Sequence, residues 1–149
     1  MAKPVFDQLN IVCSEVDKSV AFYRRLGVDI PEPMIWRTES GAHHVSAGRW
    51  SSGAIGLDLD STAFAQIWNA AWANHMDLKG RVVVGFRVSS HDEVDAVFED
   101  MTRAGYRGLH EPQDMFWGAR YAIIEDPDGI AVGVMSPISP DRKSPPPQV

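Results

Sequence analysis

The chain has 149 residues, 44% of them hydrophobic and 23% charged, with a net charge of −6. That is enough chain for a real core in one domain or two small fused halves, and the acidic balance argues against a nucleic-acid partner, whose phosphates need a basic face. A single cysteine excludes an internal disulfide and any multi-cysteine zinc site; with no apolar run long enough to span a membrane and no apolar signal-peptide core, the expectation is a cytoplasmic protein without a membrane partner.

Residues 6–13 alternate loosely. Leu9, Ile11 and Cys13 share one face, and Gln8, Asn10 and Val12 the other. This is a half-buried strand with a partly polar second face, and Cys13 falls on the core side. Ser14, with Asp17 three residues on, reads as a helix N-cap. Val16, Val20 and Tyr23 mark that helix's buried stripe, and Gly27 stops it. Residues 34–38, 43–47 and 54–59 read as three further strands. Ser61-Thr62 caps a second helical segment, in which Phe64, Trp68 and Trp72 stripe one face beside Ile67 and Ala71. Such a stripe is either a packing face or a lid.

Residues 82–88 form a strand with Val82, Val84, Phe86 and Val88 on one face. Val83, Gly85 and Arg87 lie on the other. Ser90 caps a helix whose first turn carries Asp92 and Glu93, where negative charge suits the helix dipole. Val94, Val97, Phe98 and Met101 are its buried stripe, and Gly105 ends it. A strand near 106–110 follows. Then two apolar runs, 121–125 and 130–135, flank Asp126-Pro127-Asp128-Gly129, a sequence suited to a tight turn between hairpin strands. Ile130, Val132 and Val134 give the last strand one bulky face, which should pack on a helix. Ala131 and Gly133 make the other face small, so that face should line unfilled space. Phe116-Trp117 sits just upstream. The proline-rich end, residues 139–149, reads as a frayed or strapping tail.

An internal repeat runs through this order. Val16-Asp17 is followed by Gly27, and Val94-Asp95 by Gly105 at the same distance. Arg25 and Arg103 each stand two before that glycine. Glu32-Pro33 is echoed by Glu111-Pro112, and Trp36 by Trp117. Each half therefore reads strand, helix, strand, strand, strand.

SVAFYRRLG at 19–27, together with Val94-Asp95 and WGARYAIIEDPDG at 117–129, resembles the vicinal oxygen chelate superfamily, which includes glyoxalase I, bleomycin-resistance proteins and extradiol dioxygenases. The resemblance covers about residues 6–138. It implies an α+β fold in which two βαβββ modules form an eight-stranded curled sheet around a cleft. On that reading residues 1–138 are one domain, with module one at 5–60, an inserted helix at 61–78 and module two at 80–138. Residues 139–149 are the tail. It also implies a homodimer.

In metal-using members the cleft holds a divalent ion on side chains from the first and last strands of each module. Mapped onto this chain, the first ligand position falls on Gln8, the third on Val83 and the fourth on Gly133. The second falls on Asp58 by strand phase, with Gly56 on the same face. A catalytic ion needs about three protein donors, and valine and glycine supply none. The expectation is therefore no metal and no cofactor, and a cleft with a small apolar floor at Gly133 suited to an organic ligand.

The reading that follows is a metal-independent protein that binds a small apolar or aromatic ligand, in the manner of bleomycin-resistance-type members. Sequestration of a toxic or antibiotic-like compound is the purpose that goes with it. Gln8, Asn10 and Asp58 are the polar contacts, Phe116 and Trp117 the apolar walls, and Arg87 a cavity-facing cation. The rival is a metal-dependent lyase, isomerase or dioxygenase of the glyoxalase I kind, its ligand set rebuilt from Gln8, Asp58 and His43 or His44. A pure interaction module is a third class.

Other residues carry a plainer reading beside a functional one. Trp36 and Trp50 are clamp residues or core. Arg120 and Tyr121 are a structural arginine and a wall tyrosine. His43 and His44 are adjacent, so on a strand they point to opposite faces and cannot both serve one ion. His75, His91 and His110 fall in loops or caps and should be exposed. No Ser-His-Asp spacing and no phosphate-cradling glycine loop is visible.

Overall fold

The structure, a computed structural model, describes residues 8–47, 55–68, 77, 79–80 and 82–147. The chain divides into two compact units, Met1–Met76 and Asp77–Val149.

The first unit contains β1 (Gln8–Cys13), α1 (Val16–Arg25), β2 (Ile35–Thr38), β3 (Gly41–Ala47), β4 (Gly56–Ser61) and α2 (Thr62–Trp68). Its sheet runs β1-β4-β3-β2. β1 and β4 are parallel, and β4-β3-β2 is an antiparallel meander. Alternation sorts the sheet's side chains. Ile11, Cys13, Val45, Ala47, Leu57 and Leu59 are buried on the face that meets α1, which presents Val16, Val20 and Tyr23. Burying these residues supplies the main stabilisation, on the order of 1.5–3 kcal/mol for each large aliphatic side chain.

The second unit contains β5 (Val83–Arg87), α3 (His91–Arg103), β6 (Gly108–Asp114), β7 (Arg120–Glu125) and β8 (Ala131–Met135). Its sheet runs β5-β8-β7-β6, with β5 and β8 parallel. The same logic applies: Val84, Ala122, Ile124, Val132 and Val134 are buried with Val94 and Met101 of α3. Arg120 fastens α3 to β7 through paired 2.7 Å bonds to Asp95. Its own backbone N–H donates to Ser136 Oγ. The α+β class and the βαβββ order of each half hold, and the strands hydrogen-bond as two mixed sheets of four. No described helix is long and apolar enough to cross a membrane.

Several local expectations hold for the stated reasons. Ser90 Oγ accepts from Glu93 N at 3.3 Å, and the Glu93 carboxylate accepts from Ser89 N at 2.6 Å, so the start of α3 is capped reciprocally. Ser61 Oγ accepts from Phe64 N at the start of α2. Asp126 is buried, and its Oδ1 accepts from Asp128 N and Ile130 N, which closes the turn before β8. Gly129 adopts φ +85° there, a conformation other residues take up only with strain.

Others need correction. The N-cap of α1 is Glu15, without a side-chain cap bond, rather than Ser14. β6 continues to Asp114 through Pro112, past the expected end at 110. Proline is tolerated there because β6 lies at the sheet edge, and the ladder register shifts between His110 and Gln113. In α2 the buried residue is Ala65, Phe64 is half-buried, and Ile67 and Trp68 are exposed, so within the described part of the stripe only Phe64 is partly covered. Trp50, Trp72, Ala71 and His75 lie outside the described residues.

The tail straps back on its own unit. Ser139 N donates to Gly118 O at 2.8 Å and Ser144 N to Phe116 O at 2.9 Å. Lys143 forms a β-bridge with Trp117.

Candidate functional site

In the first unit the ladder register places Asn10 beside Asp58, Ser46 beside Asp58, and His44 beside Asp60. Alternation puts Gln8, Asn10, His44, Ser46, Asp58 and Asp60 on the sheet face opposite α1. Two carboxylates are buried there, Asp58 at 4% exposure and Asp60 at 1%. Burying a carboxylate is costly unless it is hydrogen-bonded, and Asp60 is bonded through both oxygens. Oδ1 lies 2.5 Å from His44 Nδ1, and Oδ2 accepts from Asn10 Nδ2 at 2.9 Å. Gln8 Nε2 donates to Asn10 Oδ1 at 2.8 Å. His44 Nε2 lies 3.3 Å from Ser46 Oγ. The result is one connected polar network across three strands.

Aromatic rings border it. Phe64 of α2 lies 5.4 Å from Trp36 and 5.5 Å from His44, measured between ring centroids. Trp36, Met34, Arg37, His44 and Ser46 line an open recess of about 670 Å³. Arg37 is committed elsewhere, to Glu32 at 2.9 Å and Asp17 at 2.7 Å. Those guanidinium bonds, with Arg24, hold the Glu32 carboxyl below its usual range.

His43 and His44 do take opposite roles. His43 is held by Ser61 Oγ at 2.9 Å and by Thr38 and Ser40 hydroxyls at 2.8 Å, which is a structural tie between β2, β3 and β4. His44 faces the polar network and the recess. The sequence reading placed Gln8, Asn10 and Asp58 correctly on one face but overlooked Asp60 and Ser46. Their signal was available in the alternation of Asp58 with Asp60 and of His44 with Ser46. The sheet brings Ser46, His44 and Asp60 into contact although the carboxylate stands on a different strand from the other two.

In the second unit, Gly133 pairs with Gly85 across the parallel ladder. The space over Gly133 is not empty. A Cβ there would meet Tyr121 Oη at 2.5 Å and the ring carbons at 2.9 and 3.0 Å. The expectation of unfilled volume at Gly133 is therefore corrected: Tyr121, leaning across from β7, fills it. Over Gly85 no atom of the described residues lies within 4 Å. Burial raises the Tyr121 phenol above its ordinary value, so it stays protonated near neutrality.

Trp117 packs on Tyr121 at 5.7 Å and on Phe116 at 5.1 Å, both edge-on. His110 lies 6.1 Å from Tyr121. It sits in β6 and is half-buried, not exposed in a loop, because β6 extends further than expected. His91 opens α3 and is likewise partly covered, 3.5 Å from Asp114 and 3.2 Å from Arg142. Trp117 Nε1 and His110 Nδ1 are buried without a hydrogen-bond partner among the described residues. Arg87 is exposed on the Gly85 face of β5. Arg120 is structural, held by Asp95 and Asp114.

The residues that the resemblance sets at the third and fourth metal-ligand positions do not fit a divalent ion. Val83 offers no donor atom and is 52% exposed, and Gly133 lies beneath a tyrosine ring. Among the described residues no group of three or more His, Cys, Asp or Glu side chains is placed to hold a metal ion.

Paired βαβββ halves with a parallel first–last strand ladder define the class of fold. The particular family follows from the sequence: residues 5–134 match the model of the Glyoxalase/Bleomycin resistance protein/Dioxygenase superfamily, and the chain belongs to that superfamily. Among solved structures it is similar to a glyoxalase/bleomycin resistance protein/dioxygenase family enzyme from Burkholderia phytofirmans PsJN, at 16% identity and TM-score 0.69, covering 88% of this chain and 97% of that one. A glyoxalase/bleomycin resistance protein/dioxygenase from Nocardioides is 21% identical with TM-score 0.69, covering 100% and 91%. A lactoylglutathione lyase from Agrobacterium tumefaciens is 16% identical with TM-score 0.60, covering 91% and 96%. At these identities the likeness shows the fold alone. No curated protein matches the sequence.

Proposed function

We propose that this chain is a metal-independent small-molecule-binding protein, working by capture of an apolar or aromatic compound with a few polar groups. The observation that carries the reading is the polar network of the first unit, bordered by the Trp36–Phe64 ring pair. A hydrogen-bonded face beside aromatic rings suits a ligand that is part planar and part polar. Gln8, Asn10 and Asp58 are its polar contacts. Phe116 and Trp117 give the second unit an apolar surface of its own, with Arg87 and the open face of Gly85 nearby in sequence phase. The lack of donors at Val83 and Gly133 supports independence from metal. Sequestration of a toxic compound is the role that fits capture, and a homodimer is part of the proposal.

The test begins with elemental analysis of protein purified without a histidine tag, followed by nickel, zinc and manganese titrations. No binding above background is expected. One tightly bound ion per chain would overturn the reading. Tryptophan fluorescence is then titrated with 8-anilinonaphthalene-1-sulfonate as an aromatic probe with a polar group. Saturable quenching that weakens severalfold in Asn10→Ala is expected; a titration without saturation counts against capture.

A further inference from the structure

Ser46, His44 and Asp60 stand in the order hydroxyl, imidazole, carboxylate. Ser46 Oγ is 3.3 Å from His44 Nε2, and His44 Nδ1 is 2.5 Å from Asp60 Oδ1. Asp60 is almost wholly buried, and its second oxygen is taken by Asn10. A carboxylate accepts, so His44 Nδ1 is the donor. In a neutral imidazole the other nitrogen is then the acceptor, and that nitrogen faces the serine. The Asp60–Asn10–Gln8 bonds fix the ring's orientation. Ser46 stands two residues from His44 on β3, so the two share a sheet face, and its hydroxyl is the group that meets the second imidazole nitrogen. The serine–histidine bond is the longest of the set, as such bonds often are before substrate binds.

We propose that Ser46 is a nucleophile activated by His44 and Asp60, directed at small activated carboxylic esters. His44 and Ser46 both line the recess, so a small ester can reach the hydroxyl, and Trp36 and Met34 give its apolar part a wall. In the step, Ser46 Oγ bonds to the acyl carbon and its proton passes to His44 Nε2. The ester C–O bond breaks, and the leaving alcohol takes the proton back from Nε2. Water then repeats the sequence, with His44 Nε2 taking its proton, to release the acid and restore Ser46. No metal or redox partner enters. Asp60 is a positioning residue: it holds the tautomer and steadies the imidazolium. This activity goes beyond capture and does not depend on it.

The full chain is mixed with p-nitrophenyl acetate, with and without EDTA. Nitrophenolate release is followed, and the protein is digested for peptide mapping. The expected result is an acetyl group on Ser46 and release unaffected by chelator. Ser46→Ala and His44→Gln, each with wild-type circular dichroism, should lose the adduct, with release falling at least about a hundredfold. Asp60→Asn should lower the turnover per acylatable site, counted from the nitrophenolate burst, with KM unchanged; a smaller folded fraction would lower the burst itself and leave that ratio as in the wild type. Absence of acetyl-Ser46, acetylation confined to lysines, or release in Ser46→Ala equal to wild type overturns the proposal. The dye titration is independent: acetylation without saturable quenching sinks capture alone, and quenching without acetyl-Ser46 sinks the nucleophile alone.

Discussion

Replacing Gly133 by alanine tests the geometry of the second unit most directly. The new methyl would stand 2.5 Å from Tyr121 Oη and 2.9 and 3.0 Å from two ring carbons. Real side chains do not tolerate that separation, so either the ring swings away or the strand shifts. Overpacking of this kind costs about 1–3 kcal/mol. Against it stands the gain from removing a glycine from a strand, about 0.4–1 kcal/mol through the unfolded chain. The Tyr121 ring is only partly buried and can yield, so a net loss of about 1 kcal/mol is expected. Gly85→Ala is the control: it is the ladder neighbour of Gly133, with no atom of the described residues within 4 Å of its added carbon, and should be neutral or slightly stabilising. In a Tyr121→Ala background the obstruction is gone, and Gly133→Ala should change sign and stabilise. Urea unfolding of the four proteins of the cycle gives the coupling, expected at about 1–3 kcal/mol. A coupling near zero, or equal effects at Gly133 and Gly85, would refute the conclusion that Tyr121 covers Gly133. An open floor would then be restored.

Asp60→Ala leaves His44 Nδ1 and Asn10 Nδ2 without their acceptor and should cost about 1–3 kcal/mol in urea unfolding; no loss would mean the network is not formed in solution. Asp95 is held below the ordinary carboxyl range, chiefly by hydrogen bonds from Arg120. A depressed folded value stabilises above the unfolded value of about 3.9 and loses that contribution as pH falls through the folded value. Asp95→Asn should therefore cost under about 1 kcal/mol at neutral pH, since the pair is partly exposed, and its deficit should shrink below about pH 4. Truncation after Ile138 removes the strap bonds to Phe116 and Gly118; it should shift the tryptophan emission to the red in the wild type but not in Trp117→Phe, and equal shifts or none in the two would show that the strap does not shield the indole.

Much of the fold was legible because period-2 alternation and capping residues are local. Leu9, Ile11 and Cys13, or Val132 and Val134, declare a buried face from their spacing alone. The site was legible only as faces. Strand phase put Gln8, Asn10 and Asp58 on one side, but it does not say which strand is next to which. His44 reaches Asp60 because β3 pairs with β4 in one particular register, and Asn10 reaches it because β1 lies on β4's other side. Gly133 shows the same limit. Its smallness was evident, but what occupies the space is decided by how Tyr121 leans from the neighbouring strand.

In each sheet the first strand pairs with the last one made. A ribosome synthesising the first half releases β1 long before its partner β4 exists, and β2 and β3 can meet in the interval. The nascent strand must therefore wait unpaired until Gly56–Ser61 has left the exit tunnel. Its unpaired backbone groups are then a liability, and a chaperone or a slow translation step would matter most in that interval.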